Sequence, residues 1–171
     1  MENVMKLEKK KGFTLIELMI VLAIIAILAV VLIPKSQIFK NNSKNAGVTT
    51  NVNTVRGYLE TKVTNSGGAD SYLNAATLKT AIASNFSLDS STFVPTGSSS
   101  SEQLVNPFNK DNASVSVVDK SSDETNNKVD TVSPSSTGVN DGEVVIYVCK
   151  DGYVVFGVDK GGDLTQTFKV K

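Results

Sequence analysis

Glu17 is a carboxylate inside a long apolar run that extends from Phe13 to Ile33. At the centre of a membrane-spanning helix such a charge costs about 2.5–3.5 kcal/mol on insertion scales, and the cost is smaller near the end, where Glu17 lies. A carboxylate left unpaired in apolar surroundings is penalised, whereas a paired one is penalised much less. The sequence therefore predicts a cationic partner for Glu17. The alternative is a plain anchor whose glutamate reaches the lipid headgroups.

The apolar run has the length of a transmembrane helix. Phe13 to Ile33 gives about 31 Å of helix, close to a hydrocarbon core of about 30 Å. A cleavable secretory signal has a shorter apolar core and a small-x-small cleavage site, but this run leads directly into Pro34 and Lys35. We therefore expect a retained anchor. Lysines cluster before the run, at Lys6, Lys9, Lys10 and Lys11. This cluster predicts a cytoplasmic N-terminus and an external C-terminal part.

Residues 9–18, Lys-Lys-Lys-Gly-Phe-Thr-Leu-Ile-Glu-Leu, resemble the leader and N-methylation site of type IV prepilins. The resemblance covers roughly residues 6–40. It implies that a membrane peptidase cuts between Gly12 and Phe13 and methylates the new amino terminus on Phe13. It also implies that Glu17 is the assembly glutamate and that Pro34 bends the helix. The lysines at 9, 10 and 11 supply the positive charge of the leader.

The chemistry of these positions fits the resemblance. Gly12 has no side chain, so a protease can approach its carbonyl group closely. Cleavage there would create a cationic amine on Phe13, and methylation keeps that amine basic. Glu17 then has a partner one turn away on its own chain, or on the next subunit. Subunit packing would be steered to the register that satisfies this carboxylate.

Composition argues against several other functions. The chain has 17 basic and 17 acidic residues, and removal of residues 1–12 would leave a net charge of about −2, with no basic stripe for nucleic acid. It has no histidine and one cysteine, Cys149, so no internal disulfide can form. We expect Cys149 to be a small buried side chain in a strand. No catalytic motif, cofactor motif or EF-hand spacing is present, so we predict no enzyme, no cofactor and no metal site.

One long helix is predicted from Phe13 to about Thr64. Its first half is apolar all round, and Pro34 should kink it, because a proline inside a helix removes a hydrogen bond and clashes with the preceding turn. Its second half has an apolar stripe at spacings of three and four residues, which is typical of a helix packed on a globular head. The stripe consists of Val48, Val52, Val55, Leu59 and Val63.

The remaining residues predict a small head. Ser66-Gly67-Gly68 ends the long helix, and a short helix with Asn74 as its N-cap begins at Ala75, with Leu78 and Ile82 facing inward. Residues 87–103 are rich in serine and predict an exposed loop, and residues 119–141 predict a long polar loop. Strands are expected at 114–119, 143–149, 153–158 and 164–170. Three or four of these would form an antiparallel meander covered by the apolar stripe.

The expected fold class is therefore α+β: a long N-terminal helix, with a membrane-spanning half and an amphipathic half, packed on a small antiparallel β-meander as in the pilin fold. The expected division of the chain has four parts. They are a cleaved basic leader (1–12), a hydrophobic transmembrane and polymerisation helix (13–34), an amphipathic helix packed on the head (35–64), and a globular head (65–171) with its sheet at about 114–171.

The resemblance implies a structural subunit of a type IV pilus. Such a subunit waits in the membrane as a single-pass protein and then polymerises into an extracellular filament used for adhesion, twitching or gliding motility and biofilm formation. The implied partners are other copies of the chain, the membrane before assembly, the prepilin peptidase, and the assembly platform protein with its ATPase. Two alternatives remain open: a pseudopilin of a type II secretion or DNA-uptake system, and a minor pilin with a ligand-binding head.

Overall fold

The computed structural model describes residues 12–97 and 103–171. Lys9, Lys10 and Lys11, and the serine run at 98–101, lie outside the described residues. The fold is α+β with an N-terminal apolar helix, which confirms the predicted fold class. In chain order the elements are α1 (Leu15–Glu60), β1 (Thr64–Ser66), β2 (Ala69–Ser71), α2 (Ala75–Asn85), β3 (Val115–Asp119), β4 (Val144–Cys149), β5 (Gly152–Gly157) and β6 (Phe168–Val170).

The chain forms two compact units that divide between Lys40 and Asn41. In the N-terminal unit, every large apolar side chain from Leu15 to Ile33 is at least 50% exposed. The helical assignment continues through Pro34, and the bend expected there stays a prediction. The described part of this unit, residues 12–40, forms no core, because a single helix cannot bury a surface that is apolar on all sides.

The C-terminal unit buries the part of the predicted stripe that lies on α1, whereas Val63 follows the helix and is partly buried against the same core. Val48, Val52, Val55 and Leu59 are at most 1% exposed. They form one core with the inward residues of α2 and one face of the larger sheet. Helical spacing places these side chains on one side of the helix, and the sheet offers them an apolar face. The prediction that the stripe covers the sheet is confirmed.

The larger sheet has the strand order β3-β4-β5-β6 and is mixed, which corrects the meander expected from the sequence. Strand β3 pairs with β4 in parallel, with Val115 opposite Val144. The pairs β4–β5 and β5–β6 are antiparallel. The parallel pair is possible because the connection over residues 120–143 is long enough to cross back to the same end of the sheet. The antiparallel β4–β5 hairpin closes at the predicted Lys150-Asp151-Gly152 turn.

The sequence predicted a long polar loop before β4, but part of this loop is buried. Val129 is 0% exposed and Val132 is 8% exposed. Together with Val139, they pack on the second face of the sheet. The side chains that they join there include Tyr147, Cys149 and Phe156. Strands β4 and β5 are therefore buried on both faces. This explains why both strands are runs of apolar residues rather than alternating ones.

The segment after α1 also differs from the expectation. Helix α1 ends at Glu60 rather than near Thr64, and β1 and β2 form a hairpin that the sequence did not predict. Gly67 and Gly68 connect these strands with φ values of 67° and 87°, the left-handed region that a tight primed turn requires. The N-cap of α2 is confirmed, because Asn74 accepts a hydrogen bond from the Thr77 N–H at 2.9 Å.

Candidate processing and assembly site

Gly12 and Phe13 lie just before the first turn of α1, and both are exposed. A Cβ atom placed on Gly12 would meet nothing within 4 Å. The Phe13 side chain is 92% exposed. Among the described residues nothing crowds the peptide bond between Gly12 and Phe13, which is compatible with access by a protease. The cleavage itself stays a prediction.

Thr14 and Glu17 form a reciprocal capping box at the start of α1. The backbone N–H of Thr14 donates to Glu17 Oε2 at 2.8 Å, and the Thr14 hydroxyl donates to the same oxygen at 2.8 Å. In return, the backbone N–H of Glu17 donates to Thr14 Oγ1 at 3.3 Å. This arrangement satisfies N–H groups that the first turn of a helix leaves without partners.

The capping box gives Glu17 a partner that the sequence reasoning missed. Ser or Thr followed three residues later by Glu or Gln is a sequence signature of a helix start, and Thr14-Leu15-Ile16-Glu17 fits it. The sequence therefore contained the capping signal, whereas the cost of burying the Glu17 charge had predicted only a cationic partner. In this unprocessed chain the carboxylate is held by neutral donors from its own helix.

The helix that follows Glu17 is the candidate membrane segment. Residues Leu15–Ile33 have a mean hydropathy of 3.3, and none of this stretch is buried. Nineteen residues of helix span about 28 Å, close to the hydrocarbon thickness of a bilayer. By length and composition this is the one helix in the described part of the chain that could cross a membrane.

The structure does not bring the other chemically interesting groups to this end of the chain. Cys149 lies in β4 and is 3% exposed. Burial raises the pKa of its thiol to about 11, with a further contribution from the nearby Asp151 carboxylate. A thiol with so little thiolate character is a poor nucleophile. Among residues 12–97 and 103–171, no group of three or more acidic, histidine or cysteine side chains is arranged to hold a metal ion.

One comparison with known proteins bears on this site. Residues 8–33 match the family described as the prokaryotic N-terminal methylation motif. This motif is the leader signature of type IV pilins and pseudopilins. The matched range contains the predicted cleavage position, the capping box and the apolar helix up to Ile33. No solved structure matches the chain.

Proposed function

From the premise that this chain carries the prepilin leader signature of type IV pilins and pseudopilins, we propose that it is the structural subunit of a type IV pilus. The proposal has the chain cleaved between Gly12 and Phe13, methylated on the Phe13 amine and polymerised into an extracellular filament. The observation that carries it is the position of Glu17. This carboxylate lies in the first turn of α1, and the large apolar side chains from Leu15 to Ile33 are all exposed.

The exposed apolar surface of the helix is compatible with two environments in succession, the membrane and the filament axis. A helix apolar on every side is stable in lipid or among other apolar helices, so a membrane can store the subunit and a filament axis can bury it. Moving such a helix from lipid to a protein core brings little hydrophobic gain. Packing and polar pairing therefore have to select the register of assembly.

Glu17 supports that selection. Both Thr14 donors reach the same oxygen, Oε2, and a carboxylate offers about four acceptor positions. The carboxylate therefore has capacity for an ammonium group while Thr14 stays bonded. After cleavage, the Phe13 amine would lie next to Thr14, at the edge of the capping box. The amine of a neighbouring subunit is the second candidate partner.

The cellular setting follows from the same proposal. Before assembly the chain crosses the cell membrane once with its N-terminus in the cytoplasm, and afterwards it lies in a pilus on the cell surface. The prepilin peptidase processes it, and the platform protein and ATPase assemble it. Adhesion, twitching or gliding motility and biofilm formation are the proposed roles of the filament. The chain acts as a building unit rather than an enzyme.

Mass spectrometry of filaments sheared from cells tests the proposal. We expect the N-terminal peptide to begin at Phe13 and to carry a methyl group on its amine. Filaments whose subunits retain Met1 would refute the processing step.

The leader signature is common to pilins and pseudopilins, so a second measurement separates these functions. Electron microscopy of whole cells, with antibodies against residues 87–103, should show labelled filaments extending from the surface. Label confined to the cell envelope, with no surface filament, would favour a secretion or DNA-uptake pseudopilin. Labelling of filament tips alone would favour a minor pilin.

A further inference from the structure

Ile38 and Phe39 form an exposed apolar pair beyond the membrane-spanning stretch. Their side chains are 61% and 71% exposed. The large apolar residues exposed elsewhere in the described chain, outside residues 12–40, are at most 40% exposed and lie apart in sequence. The pair therefore needs an explanation that single surface residues do not.

The pair continues one face of the membrane helix. Lys35 precedes Ile38 by three residues and Phe39 by four, so these three side chains share a face of α1. Val31 and Leu32 lie one turn earlier on the same face and are also exposed. Along this face, Lys35 therefore lies between two pairs of exposed apolar residues. Ser36 adds no unsatisfied donor at this level, because its hydroxyl donates to the Ile33 carbonyl at 2.8 Å.

We propose that Ile38, Phe39, Lys35 and Lys40 form an interfacial anchor that binds the anionic headgroup region of the outer membrane leaflet before assembly. This inference rests on the membrane orientation in the proposed function. Phe39 follows Ile33 by roughly six residues, or about 9 Å of helix. Side chains on a helix point back toward its N-terminus, so the Phe39 ring reaches toward the boundary between headgroups and acyl chains.

The lysines favour lipid over a second copy of the chain as the occupant. An ammonium group buried between protein helices needs a carboxylate partner. Between Glu17 and Glu60, α1 contains no acidic residue, so the corresponding stretch of another α1 offers no partner for Lys35. At a bilayer surface the same ammonium meets water and lipid phosphate, while its stem lies along apolar surface.

The anchor would set the depth of Glu17. Phe39 follows Glu17 by roughly 22 residues, or about 33 Å of helix, slightly more than a hydrocarbon core of about 30 Å. With the Phe39 ring at the outer boundary, Glu17 lies near the inner headgroups, where its charge is least costly. A subunit held at this depth presents its N-terminus to the membrane surface where cleavage and pairing occur.

Tryptophan fluorescence can measure the depth directly, because the chain contains no tryptophan. The full-length precursor with Phe39→Trp is reconstituted in phosphatidylglycerol and phosphatidylcholine vesicles. Some of the lipids carry bromine either near the glycerol or near the methyl end of the acyl chain. Gln37→Trp is the matched control, since Gln37 is exposed. It lies about 200° around the helix axis from Phe39, which is roughly the opposite side of the helix. Ile24→Trp reports the middle of the membrane segment.

We expect Phe39→Trp to emit at shorter wavelength than Gln37→Trp and to be quenched more by the shallow bromine than by the deep one. Adding Lys35→Gln and Lys40→Gln to Phe39→Trp should reduce this quenching in phosphatidylglycerol but not in pure phosphatidylcholine. Emission and quenching equal to those of Gln37→Trp would overturn the anchor. A blue shift without lipid quenching, increasing with the protein-to-lipid ratio, would overturn it in favour of contact between copies.

The Ile24→Trp variant separates failure of the anchor from failure of the proposed function. Quenching of this tryptophan by the deep bromine shows that the helix spans the bilayer. If it is quenched while Phe39→Trp is not, only the anchor is refuted. If it is not quenched, the helix does not span the bilayer, and the proposed function is refuted together with the anchor.

Discussion

The two units of this chain stabilise their apolar residues in opposite ways. Leu22 in the N-terminal unit is 58% exposed, whereas Leu59 in the C-terminal unit is 0% exposed, although both lie on α1. The C-terminal unit has two cores, one on each face of its sheet. Residues 12–40, the described part of the N-terminal unit, contribute to neither core. The C-terminal unit therefore has a core of its own, and under the proposed function the N-terminal helix is stabilised by lipid or by neighbouring copies.

Under the proposed function, this difference separates residues that stabilise the fold from residues that would contact neighbouring subunits. A substitution in the N-terminal helix should change insertion or assembly and leave the head folded. A substitution in the head core should change the free energy of unfolding first, and assembly only as a consequence. Under the proposed function, Glu17 is the polar group that makes the packing of the exposed helix specific.

Glu17→Val is expected to have the largest effect. It should leave membrane insertion intact and abolish filaments, because the Phe13 amine would then be buried without its partner. Removing one member of a buried ion pair costs about 3–5 kcal/mol, which corresponds to more than about a hundredfold in an association constant. Counting filaments by electron microscopy, with membrane fractionation as the insertion assay, measures both outcomes.

Glu17→Gln is the matched control, because glutamine can occupy the same position of a capping box without a charge. If the charge matters, Glu17→Gln should lose filaments as Glu17→Val does. Normal filaments from Glu17→Gln would show that helix capping, rather than ion pairing, is what assembly requires. Normal filaments from Glu17→Val would remove any assembly role for the carboxylate.

Leu59→Ala should destabilise the head by about 2–5 kcal/mol, since it deletes buried methyl groups and leaves a cavity. Thermal unfolding of the full chain in detergent, followed by the tyrosine signal in the near-ultraviolet, measures the change. Leu22→Ala makes the same chemical change on the exposed part of the same helix. It should leave this unfolding transition unchanged, and equal shifts for the two variants would contradict the division of the chain.

Gly152→Ala should also weaken the head, through the contact between β5 and β6. A Cβ atom on Gly152 would lie 2.2 Å from the Val170 carbonyl oxygen, so β6 would have to move. Overpacking of this kind costs about 1–3 kcal/mol, in addition to the strain at a φ of 145°. Gly161→Ala is the control, because Gly161 has a φ of 115° but nothing within 4 Å of its Cβ position. Equal destabilisation of the two variants would show that backbone strain alone, and not the clash with β6, lowers the stability.

Local patterns in the sequence predicted α2, the strands of the larger sheet and the inward faces of α1 and α2, but not the β1–β2 hairpin. The stripe from Val48 to Leu59 follows from the spacing of apolar residues, and the Asn74 cap follows from residue type. In both cases the residues that determine the feature are close in sequence. The capping box of Thr14 and Glu17 belongs to the same class of signal and was predictable in principle. Short-range interactions of this kind are encoded in consecutive residues.

Pairings between distant segments were not predictable in the same way. The parallel partner of β3 depends on where a connection of about 24 residues returns, and loop closure penalises different return paths almost equally. The burial of Val129 and Val132 follows from the need to cover the second face of β4 and β5. The apolar character of both faces of those strands was the available clue, but it did not identify the segment that covers them.

An ion-pair cluster joins the end of the chain to the loop that covers the second core. Asp130 accepts from Lys169 Nζ at 3.0 Å and also pairs with Lys171. Lys171 Nζ lies 3.6 Å from Asp151, and the Asp151 carboxylate accepts the Val129 N–H at 2.8 Å. The cluster connects β6 to both the loop and the β4–β5 turn. Because its side chains are exposed, its contribution should be small and sensitive to salt.

Asp130→Asn should therefore give the smallest effect, a modest drop in Tm at neutral pH that added salt removes. Hydrogen bonds and ion pairs with Lys171 and Lys169 lower the pKa of Asp130 below its ordinary value. The pairing thus stabilises the fold above pH 4 or so and is lost as the pH falls through the lowered pKa. The Tm values of wild type and Asp130→Asn should converge in acid. Asp111→Asn, at an exposed aspartate without an ion pair in the described residues, is the control and should leave the Tm at neutral pH unchanged. A Tm gap for Asp130→Asn that persists in acid and in salt would mean that packing, rather than charge, holds β6 to the loop.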